Sequence, residues 1–122
     1  MSNILLNSTP KTPEVKFDAV SGILEIVGRL IPENPDEFFK VLSDSVNLLK
    51  EIPKSTIRLS LDYYNTTSAK RLLHFFQKAE ELFRNGSDVK IIWEYEEGDD
   101  DSMRDGEDYK NLLKLPFEVI LV

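Results

Sequence analysis

At 122 residues, with 41% hydrophobic and 30% charged side chains, the chain is sized for one compact domain that buries roughly 65% of its unfolded surface. The absence of cysteine excludes disulfides, a thiol nucleophile and thiolate metal sites, and points to a reducing, cytoplasmic setting. The net charge of −7 disfavours nucleic acid and anionic lipid, which both require Lys/Arg clusters to neutralise phosphate, so neither a nucleic-acid nor a membrane partner is expected.

Residues 1–13 carry Ser, Thr, Asn, Pro10 and Pro13 and read as a flexible amino-terminal arm ahead of a single domain over 14–122. The stretch has no charged n-region, and no apolar run in the chain approaches the roughly 18 residues of a membrane span. In "VKFDAVSGILEIVGRL", apolar residues alternate at Val15 and Phe17 and again at Ile23, Leu24 and Ile26. Ser21-Gly22 forms a turn between them, which predicts an antiparallel strand pair. "PENPDEFFKVLSDSVNLLKEI" has Asn34 as N-cap, Pro35 at the first helical position and Glu37 three residues after the cap, a helix-start signature. Phe38, Val41, Leu42, Ser45, Val46 and Leu49 then share one face, and Pro53 ends the helix.

"STIRLSLDYY" alternates Ile57, Leu59, Leu61 and Tyr63 against polar residues, the period of a half-buried strand. A second helix follows, with Ala69, Leu72, Leu73, Phe76, Ala79, Leu82 and Phe83 at helical spacing and Asn85-Gly86 as its stop. "DVKIIWEYE" is the next strand; "GEDYKNLLKL" makes a short third helix and "PFEVILV" a final strand. The order is ββαβαβαβ, an α/β fold with a mixed β-sheet and helices packed against it.

Two polar segments stand out. Between the strand ending at Tyr64 and the second helix lie Asn65, Thr66, Thr67 and Ser68. Their place at the carboxyl edge of a parallel strand is where ligands and modified residues gather. One of Thr66, Thr67 or Ser68 is expected to cap the helix. A cap needs one residue, so spare hydroxyls remain that a phosphoryl group could occupy, with Lys70 and Arg71 in the first turn to screen it. Capping alone and modification both stay open on these residues.

The segment Glu94 to Asp108 holds nine acidic residues against Arg104 alone. It reads as a solvated acidic loop, as a docking surface for a basic partner, or as a metal- or small-ligand-binding module. Calcium of the EF-hand type does not fit: counting from Asp99, position five is Met103 and position six is Arg104 where glycine is needed. His74, the only histidine, lies inside the second helix with no serine or aspartate expected to converge on it. The five glycines are scattered, so no phosphate-cradling loop is present. The residues assign no catalytic group, no metal ligand and no cofactor.

With those residues laid out, the chain resembles the SiaC family of regulatory phosphoproteins, whose fold is similar to the STAS domain of anti-sigma factor antagonists. The resemblance rests on "TPEVKFD", "GRLIPENPDEFF", "LDYYNTTSAK", "WEYEEGDDDSMRDGEDY" and "PFEVIL", in order along nearly the whole chain. It implies a STAS-like domain and a bacterial adaptor, not an enzyme, in cyclic di-GMP signalling and biofilm regulation. It implies that Thr66 is phosphorylated by a dedicated kinase and dephosphorylated by a PP2C-type phosphatase. The unmodified form is then expected to bind and regulate a diguanylate cyclase or other signalling protein. Asn65, Thr67, Ser68, Lys70 and Arg71 would form the phosphate environment and partner face, with Thr67 or Ser68 as cap. Thr67 and Ala69 stand where the family usually has serines, and Leu30 where it often has a small polar residue.

Overall fold

The computed structural model describes residues 2–122; Met1, the first residue of the expected arm, lies outside them. Six strands and three helices follow one another as β1 (Ser2–Leu6), β2 (Glu14–Asp18), β3 (Ile23–Leu30), α1 (Pro35–Val46), β4 (Lys54–Tyr64), α2 (Thr66–Arg84), β5 (Asp88–Tyr95), α3 (Asp100–Leu112) and β6 (Phe117–Leu121), with a tight 3₁₀ turn over Asn47–Glu51 after α1. The strands form one sheet in chain order. β1, β2 and β3 are antiparallel neighbours, and β3 to β6 run parallel. The mixed sheet expected from the alternating elements is therefore present.

Two segments differ from expectation. The arm carries a strand, since β1 pairs with β2 through Asn3 opposite Phe17 and Ile4 opposite Lys16. Without β1, β2 would expose a row of unpaired backbone groups, and the short "NILL" run satisfies them. The acidic segment 94–108 is not a loop: Glu94 and Tyr95 end β5, and α3 begins at Asp100. Asp99 caps α3 by accepting the Ser102 N–H at 3.1 Å, with Asp100 and Asp101 in the first turn. Negative charge there meets the positive end of the helix dipole, so the like charges are tolerated as helix.

The core lies on one face of the sheet. Ile26, Ile57, Leu59, Ile91, Trp93 and Phe117 point into it. Phe38 and Leu42 of α1, Leu72 and Phe76 of α2 and Tyr109 of α3 cover them in one continuous cluster. The other face bears charges that satisfy one another, with Arg58 held between Glu25 and Glu94 and Lys90 paired with Glu118 at 3.3 Å. Gly22 fixes the β2–β3 turn: its φ is +72°, and a Cβ would lie 2.3 Å from the Lys54 carbonyl oxygen. Asn34 caps α1 as expected, accepting the Glu37 N–H at 3.2 Å.

The end of β4 prepares the site. Gly28 on β3 sits opposite Leu61, yet Arg29 sits opposite Tyr63, so Asp62 is an extra residue in β4. Such a bulge reverses the alternation beyond it. Tyr63, expected on the buried face, turns out to solvent at 52% exposure. Tyr64 turns inward against Trp93, ring centroids 5.6 Å apart.

Candidate functional site

At the carboxyl end of β4, a cleft of about 430 Å³ opens between the first turns of α2 and α3, with Asp62, Tyr64, Thr66, Arg104 and Asp105 among its walls. The backbone of Asn65 is extended, and its side-chain oxygen accepts the Ser68 N–H at 2.9 Å. Asn65 is thus the N-cap, not Thr67 or Ser68. Asparagine is among the preferred residues at this position because its side-chain oxygen reaches the N–H of the second or third helical residue. Thr66 is the first helical residue, and both it and Thr67 are exposed. Ser68 is 1% exposed and packed into the domain. The four polar residues separate into one cap, two accessible hydroxyls and one buried one.

The opposite wall is fixed by side chains that sequence periodicity did not single out. Tyr64 donates its hydroxyl to Asp105 at 2.5 Å. Trp93 Nε1–H points at the Ser102 carbonyl oxygen at 3.0 Å and at Ser102 Oγ at 3.2 Å, and Tyr109 donates to the Ala69 carbonyl at 2.7 Å. Burial, with the nearby Asp105 carboxylate next in effect, pushes the Tyr64 phenol far above its ordinary range. The Tyr109 phenol is raised likewise, by burial and by Asp105 and Asp108. Both therefore persist as neutral donors at physiological pH. Gly106 completes the wall, because a Cβ there would lie 2.6 Å from the Trp93 ring. The signal in sequence was the Asp99-x-x-Ser102 cap, which places Ser102, Asp105, Gly106 and Tyr109 on one side of a helix.

The charges around Thr66 are unequal. Lys70, one turn on, lines a second, shallower groove together with Thr66, Asp105 and Leu112. Arg71 is turned away to α1, where it pairs with Asp36 and stands 5.9 Å above the Phe39 ring. The structure thus gives Arg71 to the α1–α2 contact and leaves Lys70 as the nearer cation. Arg104, which the sequence reading did not assign to the site, reaches the cleft from α3 while paired with Asp101 at 3.0 Å in an exposed contact. Asp62, Asp99, Asp101 and Asp105 also face the cleft. Among the described residues, no three His, Asp or Glu side chains are gathered where they could hold a metal ion. A helix distributes neighbouring carboxylates around its circumference. His74 is exposed on α2. Among the described residues, no helix is long and apolar enough to cross a membrane.

An accessible threonine hydroxyl at the first position of a helix can be esterified without breaking the cap. The free N–H groups of that turn then favour the added negative charge, while the Asp side chains across the cleft oppose it.

The chain is similar to known proteins. The chain is 26% identical to an uncharacterised protein of Pseudomonas aeruginosa strain UCBPP-PA14 over 98% of its own length and 96% of the other's. Among solved structures it is similar to SiaC of Pseudomonas aeruginosa, with a TM-score of 0.85 at 24% identity, covering 100% of this chain and 99% of that one. It is also similar to a chain in the crystal structure of the diguanylate cyclase SiaD with its activator SiaC, from the same organism. That likeness has a TM-score of 0.87 at 25% identity and covers 96% of this chain and 98% of the other. The family model for the SiaC family regulatory phosphoproteins matches residues 6–122, which takes in every helix and the five strands from β2 to β6. The chain belongs to the SiaC family of regulatory phosphoproteins.

Proposed function

We propose that this protein is a phosphorylation-gated partner switch, an adaptor in the cytoplasm and not an enzyme. A dedicated kinase esterifies the Thr66 hydroxyl and a PP2C-type phosphatase removes the phosphate. The unmodified form binds and regulates a signalling partner, of which a diguanylate cyclase is the foremost candidate. Membership of a phosphoprotein family and the complex formed by the relative SiaC support this reading.

The observation that carries it is the division of labour at the start of α2. Asn65 satisfies the helix end, so the exposed Thr66 hydroxyl has no structural duty there. A phosphate on it brings about −1.5 to −2 charges into a cleft already lined by four aspartates. The local potential changes sharply while the core is untouched, which is how a binding face is switched without unfolding.

The test is phosphate mapping by mass spectrometry on protein purified from its own cells, paired with partner binding by Thr66→Ala and Thr66→Asp variants. Phosphate is expected on Thr66. The alanine variant is expected to bind the cyclase as the parent does, and the aspartate variant to lose at least tenfold in affinity. Phosphate found consistently elsewhere, or an aspartate variant with unaltered binding to every partner, overturns the reading.

A further inference from the structure

On the open sheet face, Arg58 is shared by Glu25 and Glu94, and Lys90 is held by Glu118. On the helical face, Lys70 of α2 and Asp108 of α3 flank the same groove, yet neither has an ion-pair partner among the described residues. The segment of α2 from Thr66 to Ala79 contains no acidic residue, whereas α3 from Asp100 to Asp108 carries five against Arg104. Between these walls the groove is apolar, lined by Ala69, Leu73, Tyr109 and Leu112. Leu112 is 64% exposed and stands at the edge of this apolar trough.

α2 and α3 both start at the carboxyl edge of parallel strands and so run side by side in the same direction. The Tyr109 side chain leans toward the amino end of α3 and the Ala69 carbonyl points toward the carboxyl end of α2, so their hydrogen bond sets Tyr109 further along the shared direction than Ala69. This brings Asp108, one residue before Tyr109, close to level with Lys70, one residue after Ala69, in the groove both line. A surface with an apolar centre, a cation on one side and an anion level with it on the other is complementary to itself under a two-fold rotation.

We propose that the α2–α3 face is a contact surface between two copies of this chain, related by a two-fold axis running along the groove. Each α2 then lies over the other copy's α3, Lys70 meets Asp108 of the second copy in two equivalent ion pairs, and Leu73 and Leu112 close the centre. This inference rests on the charge and apolar pattern alone and concerns the unmodified protein. It is therefore independent of whether Thr66 is the phosphorylated residue.

The test is sedimentation velocity on the full chain at concentrations up to about 1 mM, at about 0.01 M and about 1 M salt, between which the screening length falls from roughly 30 Å to 3 Å. The parent is expected to form a dimer that weakens at high salt. Lys70→Asp and Asp108→Lys, each alone, are expected to weaken it at least about tenfold through like-charge contact. Mixed in equal amounts, the two variants are expected to recover the parent's association as a heterodimer. Leu112→Glu, whose fold is checked by circular dichroism, is expected to abolish it. A parent that stays monomeric at low salt, a mixture no tighter than its components, or a dimer indifferent to Leu112→Glu overturns the proposal. The first outcome would assign the groove to a different protein.

Discussion

Tyr64 and Asp105, 41 residues apart in sequence, are joined by a 2.5 Å hydrogen bond that ties the end of β4 to the middle of α3. The bond sits directly beside Thr66, so it holds the two walls of the cleft at a fixed separation. Tyr64→Phe keeps the ring against Trp93 and removes only the hydroxyl. A hydrogen bond to a charged acceptor contributes about 1.5 kcal/mol in a partly buried setting, and urea unfolding is expected to show a loss of that order. The same variant changes the alkaline limb. A phenol whose folded pKa is raised contributes stability that is complete below its unfolded value near 10 and is lost as pH rises above it. Above about pH 10 the parent is therefore expected to lose stability more steeply than Tyr64→Phe.

Gly106 faces the indole of Trp93 from the middle of α3. Two effects of Gly106→Ala oppose each other. Alanine is the better helix former by about 1 kcal/mol, but its Cβ would sit 2.6 Å from Trp93 Cδ1 and 3.0 Å from Nε1. The ring has little room to yield, being 1% exposed and enclosed by Tyr64, Phe76 and Tyr109. Overpacking of this kind costs about 1–3 kcal/mol, so the net effect is expected to be destabilising. Equilibrium unfolding measures the loss. The fluorescence of Trp93, the only tryptophan, reports whether its contact with Ser102 is broken.

The cap assignment separates neighbours that composition alone cannot rank. Asn65→Ala removes the acceptor for the Ser68 N–H and is expected to cost about 1 kcal/mol in thermal or urea unfolding. Thr67→Ala is expected to change stability by no more than about 0.5 kcal/mol, as an exposed residue with no capping bond. Equal losses from the two would return capping to the threonines.

Much of this architecture is legible in the amino-acid pattern, and the parts that are not share a physical cause. Strands such as Ile57-Leu59-Leu61 announce themselves because one face is buried and the period is two. That reasoning places Tyr63 inside and fails one residue beyond Leu61, where Asp62 is inserted against β3 and the alternation reverses. The first two turns of α3 are hidden for a different reason. Its buried residues there are Ser102 and Gly106, neither of them apolar in the usual sense, so no hydrophobic stripe marks the helix. β1 escapes notice because three apolar residues next to polar and proline-containing sequence do not reveal that a neighbouring strand edge awaits them. The proposal of Thr66 as acceptor comes from the family blocks, whereas the cap of α2 and the opposite wall of the cleft require the register of β4 and the start of α3.

Lys70 and Arg71 are adjacent in sequence and equal in charge, yet their surroundings predict opposite consequences of removal. Arg71 pairs with Asp36 and covers the Phe39 ring, so Arg71→Ala should loosen the α1–α2 contact. The pair is exposed on the Asp36 side, which limits the effect to about 1 kcal/mol or less in unfolding measurements. Lys70 has no ion-pair partner among the described residues and stands one turn from Thr66, beside the same groove. Lys70→Ala should leave stability within about 0.5 kcal/mol of the parent. Under the proposed phosphorylation of Thr66, Lys70 would also act on the modified protein, where a cation one turn away offsets part of a charge of about −2. The measurement is the phosphorus-31 titration of the phosphoprotein, in which a nearby cation favours the dianion and lowers the second phosphate pKa. Lys70→Ala is expected to raise that pKa relative to the parent, and Arg71→Ala to leave it unchanged. A larger shift from Arg71→Ala would mean that Arg71 leaves Asp36 for the phosphate and that phosphorylation reaches α1 through this one side chain.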